Sequence, residues 1–245
     1  MWLSNMASTM QLIHDGWLSE IFKFDVFQLS INEPSDVKAL DQHLRDELQK
    51  KPVFIYTKIP VDDIACVHLL ENEAFNLIDT NINFERLIGK NEAISDNMTV
   101  RFADAEDEPY VRSIAGNSII CSRFHLDPKI TDEMAKSLKK EWAGNYFHGR
   151  RGDKMVVSER EGRIAGFLQL IFHGDMLVID LIAVSSKFRR SKIASSMIAY
   201  AETNLEGFNR IRVGTQIANL PSLRFYEKLG FHIMNASYVF HYHNK

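Results

Sequence analysis

Between residues 154 and 184 three apolar runs of strand length follow one another with only turn-sized gaps: KMVVSER, RIAGFLQLIF and MLVIDLIAV. Runs of this size rich in Val, Ile, Leu and Phe form strands, and Glu161-Gly162 and His173-Gly174-Asp175 between them form turns. A parallel pair needs a crossover of a dozen residues or more, so these gaps predict an antiparallel meander. After the third run and the short link Ser185-Ser186-Lys187-Phe188 stands Arg189-Arg190-Ser191-Lys192-Ile193-Ala194. The recurrence of Ile193, Met197 and Ala201, with Ala194 and Ile198 alongside, predicts an amphipathic helix over about 190–206. A helix start leaves several backbone N–H groups without intrahelical partners and carries partial positive charge, so anionic oxygens settle there. Arg189, Arg190 and Lys192 add full charges to a junction built to cradle a pyrophosphate.

The elements on either side extend this α/β pattern. IFKFDVFQLSI (21–31) alternates as a strand closed by Glu33-Pro34, and Val37, Leu40, Leu44 and Leu48 mark one face of a helix. PVFIYTKIP, DIACVHLLENEAF and NLIDTNINFERLI read as strand, helix and strand. Together these make a small α/β unit. Residues 1–10 carry little pattern and predict an extended start or a frayed end. The polar stretch GKNEAISDN (89–97) is the expected boundary, giving an N-terminal α/β domain over 1–92, on the acceptor side, and a second domain over 93–245. In the second domain MTVRFADA predicts a strand and EDEPYVRSIAGNSI a helix with an acidic first turn. SRFHLDPKI (122–130) reads as irregular. Met134, Leu138 and Trp142 mark a helix ending near Gly144 or Gly149. RIRVGTQ predicts a strand, Pro221 and Gly230 frame a helix, and FHIMNASYVFHYH supplies a last strand or strand pair.

Composition narrows the function classes. Basic residues number 29 and acidic residues 32, a net charge of −3. That balance gives no support to bulk binding of nucleic acid or an anionic membrane, so any basic site is local. The longest apolar stretches are strand-sized and fall short of the roughly 20 residues of a membrane span, and no secretory signal is evident. Cys66 and Cys121 stand apart, without the spacings of a disulfide framework or a zinc site, as suits a reducing cytoplasm. His241-x-His243 would chelate a metal only with further ligands, and ordinary strand alternation also produces such a pair. No metal is expected.

Taken together, residues 98–243 resemble the GNAT superfamily of N-acetyltransferases. The family's acetyl-CoA motif, Q/R-x-x-G-x-G/A at the turn from its fourth strand into a helix, has Arg189, Lys192 and Ala194 at its defined positions. Lys192 replaces a glycine, so the backbone requirement for glycine either does not hold or is met by a shifted turn. A second motif, N-x-x-A/S-x-x-x-Y-E-K-x-G-F, is approached by Asn219, Leu223, Tyr226, Glu227, Lys228, Gly230 and Phe231. The resemblance implies a mixed, mostly antiparallel twisted sheet flanked by helices, with acetyl-CoA as cosubstrate. It implies that Ile182 and Val184 pair with pantetheine through their backbones and that Arg189, Arg190, Ser191, Lys192, Ile193, Ala194 and Ser195 hold the pyrophosphate. It further implies that Asn219 contacts the pantetheine arm and that Tyr226 lies near the sulfur. A phenol there can give a proton or hydrogen bond to the departing thiolate, although proton transfer is uphill by about 1.5 pKa units at reference values. In the plainer reading Asn219 caps a helix and Tyr226 is a core residue. Asp180 interrupts an apolar run and needs a partner, a water or a task; it either takes the proton of the attacking amine or serves structure.

Within the superfamily the chain is most similar to the dTDP-fucosamine N-acetyltransferase group. The early strand IFKFDVFQLSI, the Ser122-Arg123-Phe124 segment and the run VGTQIANLPSLRFYEKLGFHIMNASYVFHYH carry that similarity. It implies a dTDP-linked 4-amino-4,6-dideoxyhexose as acceptor, a product feeding surface-polysaccharide synthesis, and direct transfer in a ternary complex without an acyl-enzyme. Arg123 suits a nucleotide phosphate or sugar hydroxyl, or else pairs with Asp127; Phe124 suits stacking on a base or sugar. His125 and Tyr146 are expected to line the same cleft, and Trp142 to serve the core. A homodimer is in keeping with the family. The competing readings are a GNAT enzyme for another small-molecule or protein amine and a non-catalytic acyl-CoA sensor.

Overall fold

The computed structural model describes residues 10–31, 52–89 and 98–244, and the chain divides into two compact units. One comprises Met1–Asn81, Leu126–Lys129 and Ala236–Lys245; the other comprises Ile82–His125 and Ile130–Asn235. Two strands, β4 (Asn76–Leu87) and β10 (His232–His243), contribute residues to both.

In the first unit β1 (Met10–His14) pairs antiparallel with β2 (Asp25–Ile31), and β2 runs parallel to β3 (Val53–Pro60). The far side of β3 takes the end of β10 antiparallel, from Ser237↔Pro60 to His243↔Phe54. This pairing accompanies the placing of 236–245 in the first unit. The polar stretch from 90 to 97 lies outside the described residues, as does the helix predicted from Val37 to Leu48. Helix α1 (Gly16–Phe22) occupies the first residues of the strand predicted from 21. Its start is set by Asp15, whose carboxylate accepts from the Leu18 N–H at 2.9 Å, and its end by Lys23 at φ 64°. β1 gave little pattern in sequence and is ordered by its ladder with β2. Helix α2 (Ile64–Asn72) begins at Asp63, which accepts from Cys66 N–H at 3.1 Å. Leu29, Ile55, Ile59, Leu70, Phe75 and Phe240 form the core with Cys66. Burial there pushes the Cys66 thiol up to about 11, which suits packing and opposes reactivity.

The second unit carries the meander. β5 (Thr99–Phe102), β6 (Lys154–Arg160), β7 (Arg163–His173) and β8 (Met176–Val184) pair antiparallel in succession, and β9 (Arg210–Gln216) lies parallel to β8. With the later residues of β4 the order is β4-β9-β8-β7-β6-β5, a mixed and mostly antiparallel sheet as expected. Helices α3 (Glu108–Ser118) and α5 (Asp132–Gly144) flank a short turn of helix, α4 (Arg123–Leu126), in the segment read as irregular. Val111, Ala115 and Ala143 from α3 and α5 close over Met155, Val157, Phe167, Leu181 and Ala183 of the sheet. Full burial of each large side chain among these is worth roughly 1.5–3 kcal/mol. Helix α6 (Ile193–Asn204) packs on β7 at Gly166, where a Cβ would stand 2.9 Å from the Ala183 carbonyl and 3.0 Å from Ile193. Only glycine permits that approach. Helix α7 (Leu220–Lys228) and a single long β10 complete the unit, and no helix among the described residues is long and apolar enough to cross a membrane.

Candidate active site

The β8–β9 ladder ends at Ile179↔Val213, whereas β8 runs on to Val184 paired with β7. Residues 180–184 therefore present one edge of backbone that β9 does not cover, which is what an extended ligand needs to add itself as a strand. At the end of that edge lies a cavity of about 640 Å³, within the usual size of ligand sites. Val184, Arg189, Arg190, Lys192, Ile193, Ala194 and Ser195 line it, joined by Phe225 and Lys228 of α7 and by its C-cap Leu229. Four cationic side chains thus share one cavity with the start of α6.

The backbone of the turn explains the lysine in a glycine position. Lys192 itself adopts the left-handed conformation, φ 60°, as N-cap of α6, and Arg190 does the same at φ 63°. For a side-chain-bearing residue this costs roughly 1–2 kcal/mol, strain of the kind that collects at ligand sites. Ser191 does not line the cavity; its hydroxyl donates to the Phe188 carbonyl and fixes the turn. Ser195 Oγ donates to the Lys192 carbonyl at 2.9 Å, and the Arg189 guanidinium reaches back to the Ser118 carbonyl at 3.0 Å. Ile182 also lies outside the cavity lining, on the uncovered edge of β8.

Asn219 is the N-cap of α7: its side chain accepts from the Ser222 N–H at 3.4 Å, and Pro221 follows in the first turn. Tyr226 is 3% exposed, ringed by Phe84, Phe225 and Phe231 at centroid distances of 5.8, 5.2 and 5.5 Å. Burial pushes its phenol well above the usual range, so it stays protonated at neutral pH. Among the described residues its hydroxyl has no hydrogen-bond partner. A buried tyrosine ordinarily finds one, so this donor is available to a ligand.

Asp180 sits at a β-bulge: Gln169 opposes Leu181 while Leu170 opposes Ile179. The extra residue directs its side chain to α5, where Trp142 Nε1 donates to Oδ2 at 2.9 Å. Arg151 grips both carboxylate oxygens at 2.7 and 2.6 Å, and Gln169 Nε2 donates at 3.0 Å. Gly152, at φ 90°, leaves room for Gln169, whose side chain lies 3.0 Å from where a Cβ would be. Lys139 Nζ stands 4.4 Å from the Trp142 ring centre and Arg151 Cζ 4.8 Å from it, so two cations rest on one indole.

Residues 121–231 match the family model described as Acetyltransferase (GNAT) family. The chain carries a GNAT acetyltransferase domain. Over 235 residues, 92% of this chain and 80% of the relative, the sequence is 23% identical to the spore coat polysaccharide biosynthesis protein SpsD of Bacillus subtilis (strain 168). Among solved structures the fold is similar to a GCN5-related N-acetyltransferase from Sphaerobacter thermophilus, TM-score 0.64 at 11% identity, covering 96% of this chain and 76% of that one. It is also similar to a GCN5-related N-acetyltransferase from Kribbella flavida, TM-score 0.60 at 10% identity, covering 96% and 88%. The protein is thus an N-acetyltransferase, and GNAT enzymes use acetyl-CoA as cosubstrate.

In the GNAT domain the acceptor-side residues do not all meet. Arg123 lies over the Phe124 ring, 4.5 Å from its centre, and Lys139 Nζ is 5.8 Å from the same ring. His125 Nδ1 shares a hydrogen bond with Ser122 Oγ at 2.7 Å. Burial, and then the Lys139 charge, hold its imidazole below the usual range, so it is neutral at pH 7. Tyr146 belongs elsewhere: it packs against the α3/α5 core and stacks edge-on with Phe147 at 5.2 Å. Trp142, assigned to the core from sequence, packs against that core and also joins the charged cluster.

Asp127 sits in a histidine cluster of the first unit. Its Oδ2 takes His241 Nδ1 at 2.6 Å and His243 Nε2 at 2.7 Å, and Oδ1 accepts from the Lys129 N–H. Burial alone would raise this carboxyl, but the two imidazoles and the backbone donor outweigh it and hold the group well below the carboxylate range. These separations are those of hydrogen bonds; ligands around a tetrahedral zinc with bonds near ~2.0 Å stand about 3.3 Å apart. The two histidines also flank Phe54, at 4.7 and 4.6 Å between ring centres. The sequence offered half of this cluster, the His-x-His alternation, but the carboxylate that joins them is 114 residues away.

Proposed function

We propose that the protein transfers the acetyl group of acetyl-CoA to the amine of a nucleotide-linked amino sugar, a dTDP-4-amino-4,6-dideoxyhexose, in surface-polysaccharide synthesis. The observation that carries the acceptor class is the joining of Arg123, Phe124, Lys139, Trp142 and Arg151 in one cationic and aromatic cluster around Asp180. Guanidinium groups suit phosphate and sugar hydroxyls, and aromatic faces suit a base or sugar ring. SpsD, a relative over most of the chain, is named for polysaccharide biosynthesis, which supports a sugar acceptor.

In this reading the pyrophosphate rests on the start of α6 and its cations, and the pantetheine arm adds along the open edge at Ile182 and Val184. Backbone N–H groups on that edge receive the developing oxyanion. The neutral amine attacks the thioester carbon directly, and the Tyr226 phenol gives its hydrogen bond or proton to the departing thiolate. Asn219, occupied as a cap through its oxygen, retains its amide N–H₂ for pantetheine. Asp180, with four donors already on it, holds Arg151 and Trp142 in place rather than accepting a proton.

Mass spectrometry of reactions with acetyl-CoA and a panel of dTDP- and UDP-linked amino sugars tests the proposal. An acetylated dTDP-4-amino sugar supports it. Turnover confined to polyamines, amino acids or protein amines overturns the acceptor, and tight CoA binding with no transfer to any amine makes the protein an acyl-CoA sensor.

A further inference from the structure

Lys139, a buried lysine of the second unit, belongs to the aromatic cluster but has no part in the proton transfers of the acetyl-transfer scheme above. It stands on α5 between Leu138 and the polar face, 6% exposed. Its Nζ lies over the faces of Trp142 and Phe124, and among the described residues no carboxylate or carbonyl receives it in a hydrogen bond or close ion pair. A lysine that serves stability ordinarily extends its ammonium to water or to a carboxylate. Among the described residues the carboxylate that acts on Lys139, Asp180, is gripped by Arg151, Trp142 and Gln169 instead.

The charged and titratable groups facing Lys139 are Arg123 and His125 from α4, Arg151 from the turn after α5, and Asp180 from β8. Two of these are permanent cations, one is a neutral imidazole, and the single anion is already paired. An indole face favours a cation, but burial beside two guanidinium groups disfavours it more strongly. Asp180 is four residues before Val184 on β8, about 13 Å along a strand, a distance the extended pantetheine arm spans from the pyrophosphate cradle. In the acetyl-transfer reading this register puts Asp180, and the cluster that holds Lys139 beside it, toward the thioester end of the open edge.

We propose that Lys139, in its uncharged form, is the base that takes the proton from the acceptor's ammonium group before attack on the thioester. The inference rests on the acetyl-transfer reading given above. The acceptor N–H bond breaks and a proton passes to Nζ, leaving the lone pair on the acceptor nitrogen. That nitrogen forms the C–N bond, the C–S bond breaks, and the thiolate takes a proton from Tyr226, which recovers one from the new amide nitrogen. Lys139 then releases its proton to solvent. Burial, with Arg123 and Arg151 adding to it and Asp180 opposing, brings the Lys139 ammonium down to about 7, the value suited to a base working near neutrality.

The test compares wild type with Lys139→Met and Lys139→Arg by pH profiles of kcat/KM on the amine that wild type acetylates in the panel, with acetyl-CoA affinity by calorimetry alongside. Wild-type kcat/KM should rise through about pH 7. Lys139→Met should fall about 10²-fold at neutral pH, bind acetyl-CoA as wild type does, and regain activity only as pH approaches the acceptor amine's own pKa; Lys139→Arg should behave likewise. A uniform loss at every pH, or an unchanged profile in Lys139→Met, overturns the role of Lys139 and leaves the acceptor reading intact. The expected shift on an amine that is not a nucleotide sugar supports Lys139 and overturns the sugar. No transfer by wild type to any amine overturns both.

Discussion

Arg151 and Asp180 form a two-point ion pair, Nε to Oδ2 at 2.7 Å and Nη2 to Oδ1 at 2.6 Å, with the carboxylate nearly buried and the guanidinium 41% exposed. The fork fixes the plane of the guanidinium, and that plane rests on Trp142. Removing either partner should release the same surface. Asp180→Asn and Arg151→Gln are each expected to raise the acceptor KM about tenfold, with acetyl-CoA affinity unchanged, and the double variant should be no worse than either alone. Additive losses in steady-state kinetics would show that the two residues act separately.

Tyr226 couples a buried ring to a hydroxyl that the described residues leave available. Phenylalanine fills the same space among Phe84, Phe225 and Phe231, so the fold should be untouched. Tyr226→Phe is expected to lower kcat by about 10²-fold while the acetyl-CoA Kd stays within twofold. Stopped-time thiol detection with calorimetry separates the two quantities. Unchanged turnover would make Tyr226 a core residue.

Much of this was legible because it is local. The meander follows from apolar runs and turn residues, and the cradle follows from cations at a strand-to-helix junction. The parts that were not legible depend on distant residues or on one extra residue in a strand. Nothing near Asp127 announces His241 and His243, and Asp180 turns toward Trp142 only because the ladder with β7 slips there. Lys139 left a faint signal: it falls between Leu138 and Trp142, beside the apolar face of a helix whose other charges face outward. A polar residue in that position has no sequence-local partner, so its task depends on what the fold brings opposite.

The left-handed Lys192 sets stability against binding. Glycine at 192 would relieve roughly 1–2 kcal/mol of backbone strain but lose about 0.5–1 kcal/mol through its freer unfolded chain. Lys192→Gly is therefore expected to raise Tm by roughly 1–3 °C. It also removes one of the cradle's cations, weakening acetyl-CoA about fivefold, a little under 1 kcal/mol. Thermal melts and calorimetry on one preparation should show the opposed signs; a fall in Tm would mean that the lysine side chain stabilises the turn beyond its strain.

Asp127 ties α4's end to β10 through two imidazoles, and its carboxyl is held below the usual range. A carboxyl depressed on folding binds protons more weakly in the folded state, so its stabilisation is complete above the unfolded value of about 3.9 and is lost as pH falls toward the folded value. Asp127→Asn keeps the shape but leaves the imidazole N–H groups without their anion. At neutral pH the variant should be less stable by about 3 kcal/mol, the scale of breaking a buried ion pair by removing one partner. Below about pH 4 the gap should begin to narrow, and it should close only as pH approaches the depressed value of the folded carboxyl, where wild type protonates the same group. Circular dichroism melts from neutral to acid pH measure the gap directly. A gap that stays constant across that range would mean that the Asp127 charge contributes nothing and that the cluster is held by packing around Phe54 alone.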